Sequence, residues 1–184
     1  MVSFSLLPHP DTPPSNPAFK LWVNVDHAAA FGSSATLNLF FCVGAPAERF
    51  TIPQTEEPGR TDKLWRTTCF EAFLRARGGE PYAEWNFAPS GDWAAYDFTS
   101  YRQGMTPADV TAPPYIRMED NLTWWALGAT IAVPSAPTLA LGLSAVLEEK
   151  DGTKSYWALA HLGGTPDFHH DACFAASLPG MERS

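Results

Sequence analysis

Apolar and polar positions alternate along much of the chain with a period of two. Leu21, Val23 and Val25 alternate with Lys20, Trp22, Asn24 and Asp26, and Leu37, Leu39, Phe41 and Val43 alternate with Thr36, Asn38, Phe40 and Cys42. Successive side chains of an extended chain point to opposite faces, so both stretches predict strands with one apolar face. Further strands are predicted over Thr68–Arg75, Tyr82–Phe87, Trp93–Phe98, Tyr115–Met118, Thr123–Val133, Leu139–Leu147 and Ser155–His161, and a closing strand or helical turn over Ala172–Leu178. Turn residues punctuate them: Arg77-Gly78-Gly79-Glu80, Pro89-Ser90-Gly91-Asp92, Asn121, and Lys150-Asp151-Gly152-Thr153. No segment carries a strong helical period, which disfavours a parallel sheet with crossover helices. Nine or ten short strands predict an all-β protein, an antiparallel β-sandwich of jelly-roll or immunoglobulin-like type. A chain of 184 residues suits one domain. We place it at residues 20–178, with an extended N-terminal segment at 1–19 and a C-terminal tail at 179–184.

Composition supports strands over helices. Charged residues are 17% of the chain, aromatics are 13%, and there are 17 prolines, against about 25% charged and about 5% proline in ordinary globular proteins. The net charge of −8 repels a phosphate backbone and an anionic membrane surface, so neither nucleic acid nor membrane is an expected partner. The first 20 residues hold five prolines, His9 and Asp11 with no basic or apolar block, and the expected location is cytoplasmic. Cys42, Cys69 and Cys173 are far apart and odd in number, which predicts buried free thiols rather than a disulfide framework.

Candidate chemistry concentrates between Arg60 and Arg102. A hairpin about Arg77-Gly78-Gly79-Glu80 in symmetric register pairs Phe73 with Glu84 and Glu71 with Asn86. Cys69, Glu71, Phe73, Glu84 and Asn86 then share one face, and Phe70, Ala72, Leu74, Trp85 and Phe87 share the other, the core. Two carboxyls and an amide thus come within about 5–8 Å of one another. Such a set can accept hydrogen bonds from sugar hydroxyls, coordinate calcium, or act as a glycosidase acid and nucleophile; salt bridges to Arg66, Arg75 or Arg102 are the structural alternative. Binding is the expected role, and no residue is assigned to catalysis.

Sugar recognition needs a flat aromatic surface beside polar hydrogen-bonding groups. Trp65, Tyr96, Tyr101 and Trp157 fall at strand ends or on the polar phase of strands, with Arg66 and Arg102 beside two of them. Near the C-terminus His161 precedes Asp167-Phe168-His169-His170-Asp171. Adjacent histidines on an extended segment point apart, so a closed zinc site is disfavoured. A loop in which Asp167 caps backbone amides and a histidine bonds to the sheet is favoured instead.

These segments resemble a known family. The run Leu64-Trp65-Arg66-Thr67-Thr68-Cys69-Phe70-Glu71-Ala72-Phe73-Leu74, then Glu84-Trp85-Asn86-Phe87-Ala88-Pro89-Ser90-Gly91, Trp93-Ala94-Ala95-Tyr96, Tyr101-Arg102, Tyr156–His161 and Pro166-Asp167-Phe168-His169 look like those of bacterial DOMON-like proteins. That group is related to family 9 carbohydrate-binding modules. The resemblance implies an antiparallel β-sandwich that binds a ligand at its mouth or on one sheet, either a sugar or haem b. Family 9 modules hold the end of a glycan between two tryptophans and carry structural calcium. Carried over, the aromatic role falls on Trp65 and Trp157 and the polar role on Arg66, Glu71, Glu84, Asn86 and Arg102, with Tyr101 and His161 completing the candidate ligand-binding set. For haem, Met105, Met118, His161 and His169 are the conceivable axial ligands. The expected partner is a small molecule or carbohydrate.

Overall fold

The computed structural model describes residues 1–28, 34–134 and 138–179. Twelve strands account for nearly all its regular structure: β1 (Val2–Pro8), β2 (Leu21–Ala28), β3 (Ser34–Val43), β4 (Cys69–Ala76), β5 (Tyr82–Phe87), β6 (Trp93–Phe98), β7 (Thr106–Pro107), β8 (Tyr115–Asp120), β9 (Trp125–Pro134), β10 (Thr138–Glu148), β11 (Lys154–Ala158) and β12 (Ala176–Pro179). Three short 3-10 turns complete it, and no helix among the described residues is long and apolar enough to cross a membrane. The all-β, antiparallel expectation holds. The expected count of nine or ten rises to twelve because β1 and the two-residue β7 add to the predicted set. The C-terminal stretch supplies both a 3-10 turn, Asp171–Cys173, and the closing strand β12. Of the tail placed at 179–184, Pro179 ends β12 and residues 180–184 lie outside the described residues.

Among the described residues every strand-to-strand ladder is antiparallel, and the strands form one hydrogen-bonded sheet in the order β7-β6-β5-β4-β10-β11-β1-β2-β3-β9-β8, with β12 also on β10. Here the sandwich expectation needs correction: the two layers are one sheet curled into a half-barrel. The join is β1, whose first residues pair with β2 (Val2 opposite Val25, Leu6 opposite Leu21) while Leu7 and Pro8 pair with Ala158 and Trp157 of β11. A strongly twisted open sheet of more than about ten strands curls or splits, and a strand that changes partners midway makes the corner.

The concave side is filled by the apolar phase of both halves. Phe41 of β3 packs on Phe70 of β4 at 5.0 Å, and Phe70 on Trp125 of β9 at 5.4 Å. Phe70, Ala72, Leu74, Trp85 and Phe87 all lie in this core. Predicted turns close the hairpins that frame it. Gly78 and Gly152 take positive φ (81° and 91°), a region open to glycine without steric cost. The Asn121 side-chain oxygen accepts from the main-chain N–H of Thr123 and of Trp124, an Asx turn.

A second, smaller core lies on the convex side of β4, β5, β6, β10 and β11, where Phe73, Tyr82, Tyr96, Phe98 and Val146 meet Leu64, Phe168 and Phe174. The face expected to be the less apolar one is therefore covered rather than open. Its cover is a set of loops. Gly142 of β10 permits the close approach: a Cβ there would stand 3.2 Å from Cβ of Phe73 and 3.3 Å from the carbonyl oxygen of Cys173.

Candidate functional site

Strand register assembles the floor of the site. The β4–β5 hairpin pairs Glu71 with Asn86 and Phe73 with Glu84, as the turn predicted. On the flanks Ser144 of β10 stands opposite Glu71, and Tyr96 of β6 opposite Glu84. Alternation puts all of these on the convex face, and Glu71 and Glu84 become diagonal neighbours on adjacent strands.

Both carboxyls are nearly inaccessible, at 3% and 4% exposure, and Asn86 is fully buried. Each carboxyl receives one hydrogen bond from the sheet. Ser144 Oγ donates to Glu71 Oε2 at 2.8 Å, and Asn86 Nδ2 donates to Glu84 Oε1 at 2.7 Å. Burial, reinforced by the charge of Glu84, pushes Glu71 up to about 8 against the weaker opposing effect of Ser144. Burial also raises Glu84, opposed by the Asn86 hydrogen bond and the charge of Arg102. An unpaired carboxylate in a low-dielectric site favours its protonated form.

The roof comes from three loops. His169 enters among Phe73, Phe98 and Tyr82, with ring centroids at 5.2, 5.2 and 5.9 Å. The Tyr82 hydroxyl accepts from the Arg102 main-chain N–H at 3.2 Å and lies 2.8 Å from His169 Nδ1. The other ring nitrogen, Nε2, faces Glu84 Oε2 at 3.7 Å. Burial, aided by the charge of Arg102, lowers His169 to about 4, so the ring is neutral at physiological pH. At the rim Arg102, in a left-handed conformation (φ 52°), gives two hydrogen bonds to Asp167 Oδ1 at 2.8 and 3.2 Å, while the Tyr101 hydroxyl donates to Asp167 Oδ2. Asp167 also accepts from the His169 main-chain N–H at 3.1 Å, the capping role expected of it.

Between floor and roof lies a cavity of about 340 Å³, walled by Trp65, Phe98, Met105, Val146, Tyr156, Pro166 and Phe168, with Glu71, Glu84, Arg102 and His169 as its polar groups. That is the size of a small-molecule pocket. Trp65 is held in the 3-10 turn Leu64–Arg66 and meets Tyr96 edge-on at 6.2 Å.

The candidate set divides. Trp65, Glu71, Glu84 and Arg102 line the cavity, Asn86 supports it from below, and Tyr101 fixes its rim through Asp167. Arg66 is exposed, and its carbonyl accepts from Lys154 Nζ. Trp157 belongs to the main core, 2% exposed, with Nε1 donating to Ser155 Oγ; it is Tyr156 that faces the cavity. His161 donates from Nε2 to the Leu7 carbonyl, packs against His9 at 4.9 Å and meets the cavity wall Phe168 at 6.3 Å, behind the lining rather than in it. Tyr156, Phe98 and Val146 join the lining without a local sequence signal, and Phe168 joins it from the Pro166-Asp167-Phe168-His169 motif.

Among the described residues neither implied cofactor finds a complete set of side-chain ligands. Calcium takes six to eight oxygens. Here Glu71 and Glu84 each have one oxygen already bonded, and among the described residues no group of three or more His, Cys, Asp or Glu is placed to hold an ion. For haem, Met105 lines the cavity, but both His169 nitrogens face protein groups, His161 is bonded to Leu7, and Met118 lies on β8 in the opposite half of the sheet, so no pair of the candidates converges. The three cysteines are free and buried.

No protein-family model matches the chain, so the DOMON-like resemblance has no family match behind it, and no curated protein matches it. The fold is shared with a candidate carbohydrate-binding protein of Bacteroides uniformis, at a TM-score of 0.61 and 13% identity over 97% of this chain and 86% of that one. A family 9 carbohydrate-binding module of Caldicellulosiruptor kristjanssonii in complex with glucose is similar at 0.48, with 11% identity over 86% of this chain and 76% of that one. In complex with cellotriose it scores 0.47, with 11% identity over 82% and 70%.

Proposed function

We propose that this protein is a non-catalytic carbohydrate-binding module whose ligand occupies the cavity over β4 and β5. The observation that carries this reading is the meeting, in one cavity, of buried Glu71 and Glu84 with Trp65, Tyr156 and Phe168. A sugar presents an apolar C–H face and a polar hydroxyl edge. The aromatic walls suit the first, and carboxyl, imidazole and guanidinium groups suit the second. The size of the cavity favours a monosaccharide or the end of a chain.

Hydrolysis is less well supported. A glycosidase keeps one carboxyl protonated and the other ionised, whereas burial raises both Glu71 and Glu84.

Calorimetric titration with a panel of mono- and oligosaccharides tests the reading. Saturable binding to the wild type, weakened in Trp65→Ala, is the expected result. An absence of binding across the panel, or binding untouched by Trp65→Ala, contradicts it.

A further inference from the structure

We propose that the ligand carries a protonated primary amine, an amino sugar whose ammonium group sits between Glu71 and Glu84. This rests on the carbohydrate reading above and narrows it. The two carboxyls are diagonal neighbours on one face, each more than nine-tenths buried, and the sheet supplies each with a single donor, Ser144 or Asn86. Glu71 Oε1 has no hydrogen bond within the protein among the described residues. Glu84 Oε2 faces only His169 Nε2, at 3.7 Å, beyond hydrogen-bond reach. Two acceptor oxygens are thus left over in a cavity whose guanidinium, Arg102, is bonded to Asp167 at the rim.

Every other charged or titratable group around the pair is already occupied or neutral. Arg102 is committed to Asp167 at the rim. His169 is neutral near pH 7, Tyr82 is bonded to it, and Tyr96 donates to Asp62 at 2.6 Å. The Cys69 thiol, 3.6 Å from Asn86 Oδ1, is raised by burial and then by Glu71, and so stays protonated. An ammonium group brings three N–H donors and one positive charge, which matches the unfilled oxygens. Trp65, Tyr156, Phe98 and Phe168 add aromatic surface that favours a desolvated cation, and the net charge of −8 draws cations toward the protein. A neutral hydroxyl in the same place forms no ion pair and leaves Glu71 protonated. Seating the amine ionises a carboxyl that is protonated beforehand, so binding releases a proton to solvent.

The test titrates the full chain at pH 6 with glucosamine, galactosamine, glucose and N-acetylglucosamine, each in two buffers of different ionisation heat. The two amino sugars are expected to bind tenfold or more tightly than the neutral pair, with buffer-dependent heats that report proton release. In Glu71→Gln and Glu84→Gln that preference is expected to vanish. Glucose or N-acetylglucosamine binding as tightly as the amino sugars overturns the amine assignment and leaves the carbohydrate reading intact. Absence of binding by all four overturns both. Wild-type selectivity decides the question even where a variant fails to fold.

Discussion

Tyr82 and His169, 87 positions apart, share a 2.8 Å hydrogen bond that ties the roof of the cavity to its floor. The same hydroxyl accepts from the Arg102 main chain, so one phenol holds two of the three roofing loops. Tyr82→Phe removes both bonds and keeps the ring. We expect a stability loss of about 1–2 kcal/mol in urea denaturation, the cost of leaving buried partners unsatisfied. Sugar affinity should fall several-fold alongside it.

Stability should decline as pH rises from about 6.5 to 8. Glu71, raised to about 8 from 4.5 by burial and the charge of Glu84, binds a proton in the folded state that the unfolded chain has released, so its contribution falls with pH across that interval. His169, lowered to about 4 from 6.5, works in the opposite direction, adding stability as pH rises through 4 to 6.5. The two offset each other below about 6.5, and above it Glu71 alone contributes a slope of at most about 1.4 kcal/mol per pH unit, with Glu84, also raised by burial, acting in the same direction. Glu71→Gln should flatten that decline. Urea midpoints measured across pH at constant ionic strength check it.

The two tryptophans of the candidate pair should behave differently. Trp157→Ala empties part of the main core and is expected to cost about 3–5 kcal/mol. Trp65→Ala removes a partly buried wall of the cavity, with a small stability change and roughly a tenfold loss of affinity, about 1.4 kcal/mol. Thermal melts and sugar titrations on the two variants separate these effects.

Native thiols should resist modification. Burial raises Cys42 and Cys173 to about 11, helped by Glu119 and Asp167 respectively, and raises Cys69 well above the ordinary thiol range. A disulfide reagent at pH 8 is expected to leave the folded protein unlabelled and to label all three cysteines in denaturant.

How far the sequence reached depended on whether the information was local. The β4–β5 register, and with it the shared face of Glu71, Glu84 and Asn86, follows from one symmetric turn and was legible. Val2, Phe4 and Leu6 of β1 alternate with Ser3 and Ser5, a strand period inside the segment expected to be merely extended, although only Leu6 is buried. The curl has no local signal, because it depends on that strand changing partners. Trp157 was misplaced because Ser155, Trp157 and Ala158 are all buried and Tyr156 half-buried; a strand covered on both faces has no polar phase to read. Phe168, Met105 and Tyr156 reach the cavity through loop placement and the β10–β11 pairing, which connect distant parts of the chain and leave no local pattern.

The central claim is that the cavity beside Trp65 is where the ligand binds. The most direct measurement is a two-dimensional nitrogen–proton NMR spectrum of the seven tryptophan indoles, recorded while sugar is added. The account predicts a saturable shift of the Trp65 indole signal, with Trp125 and Trp157 in the core unchanged. A sugar that binds while the Trp65 signal stays still would contradict it.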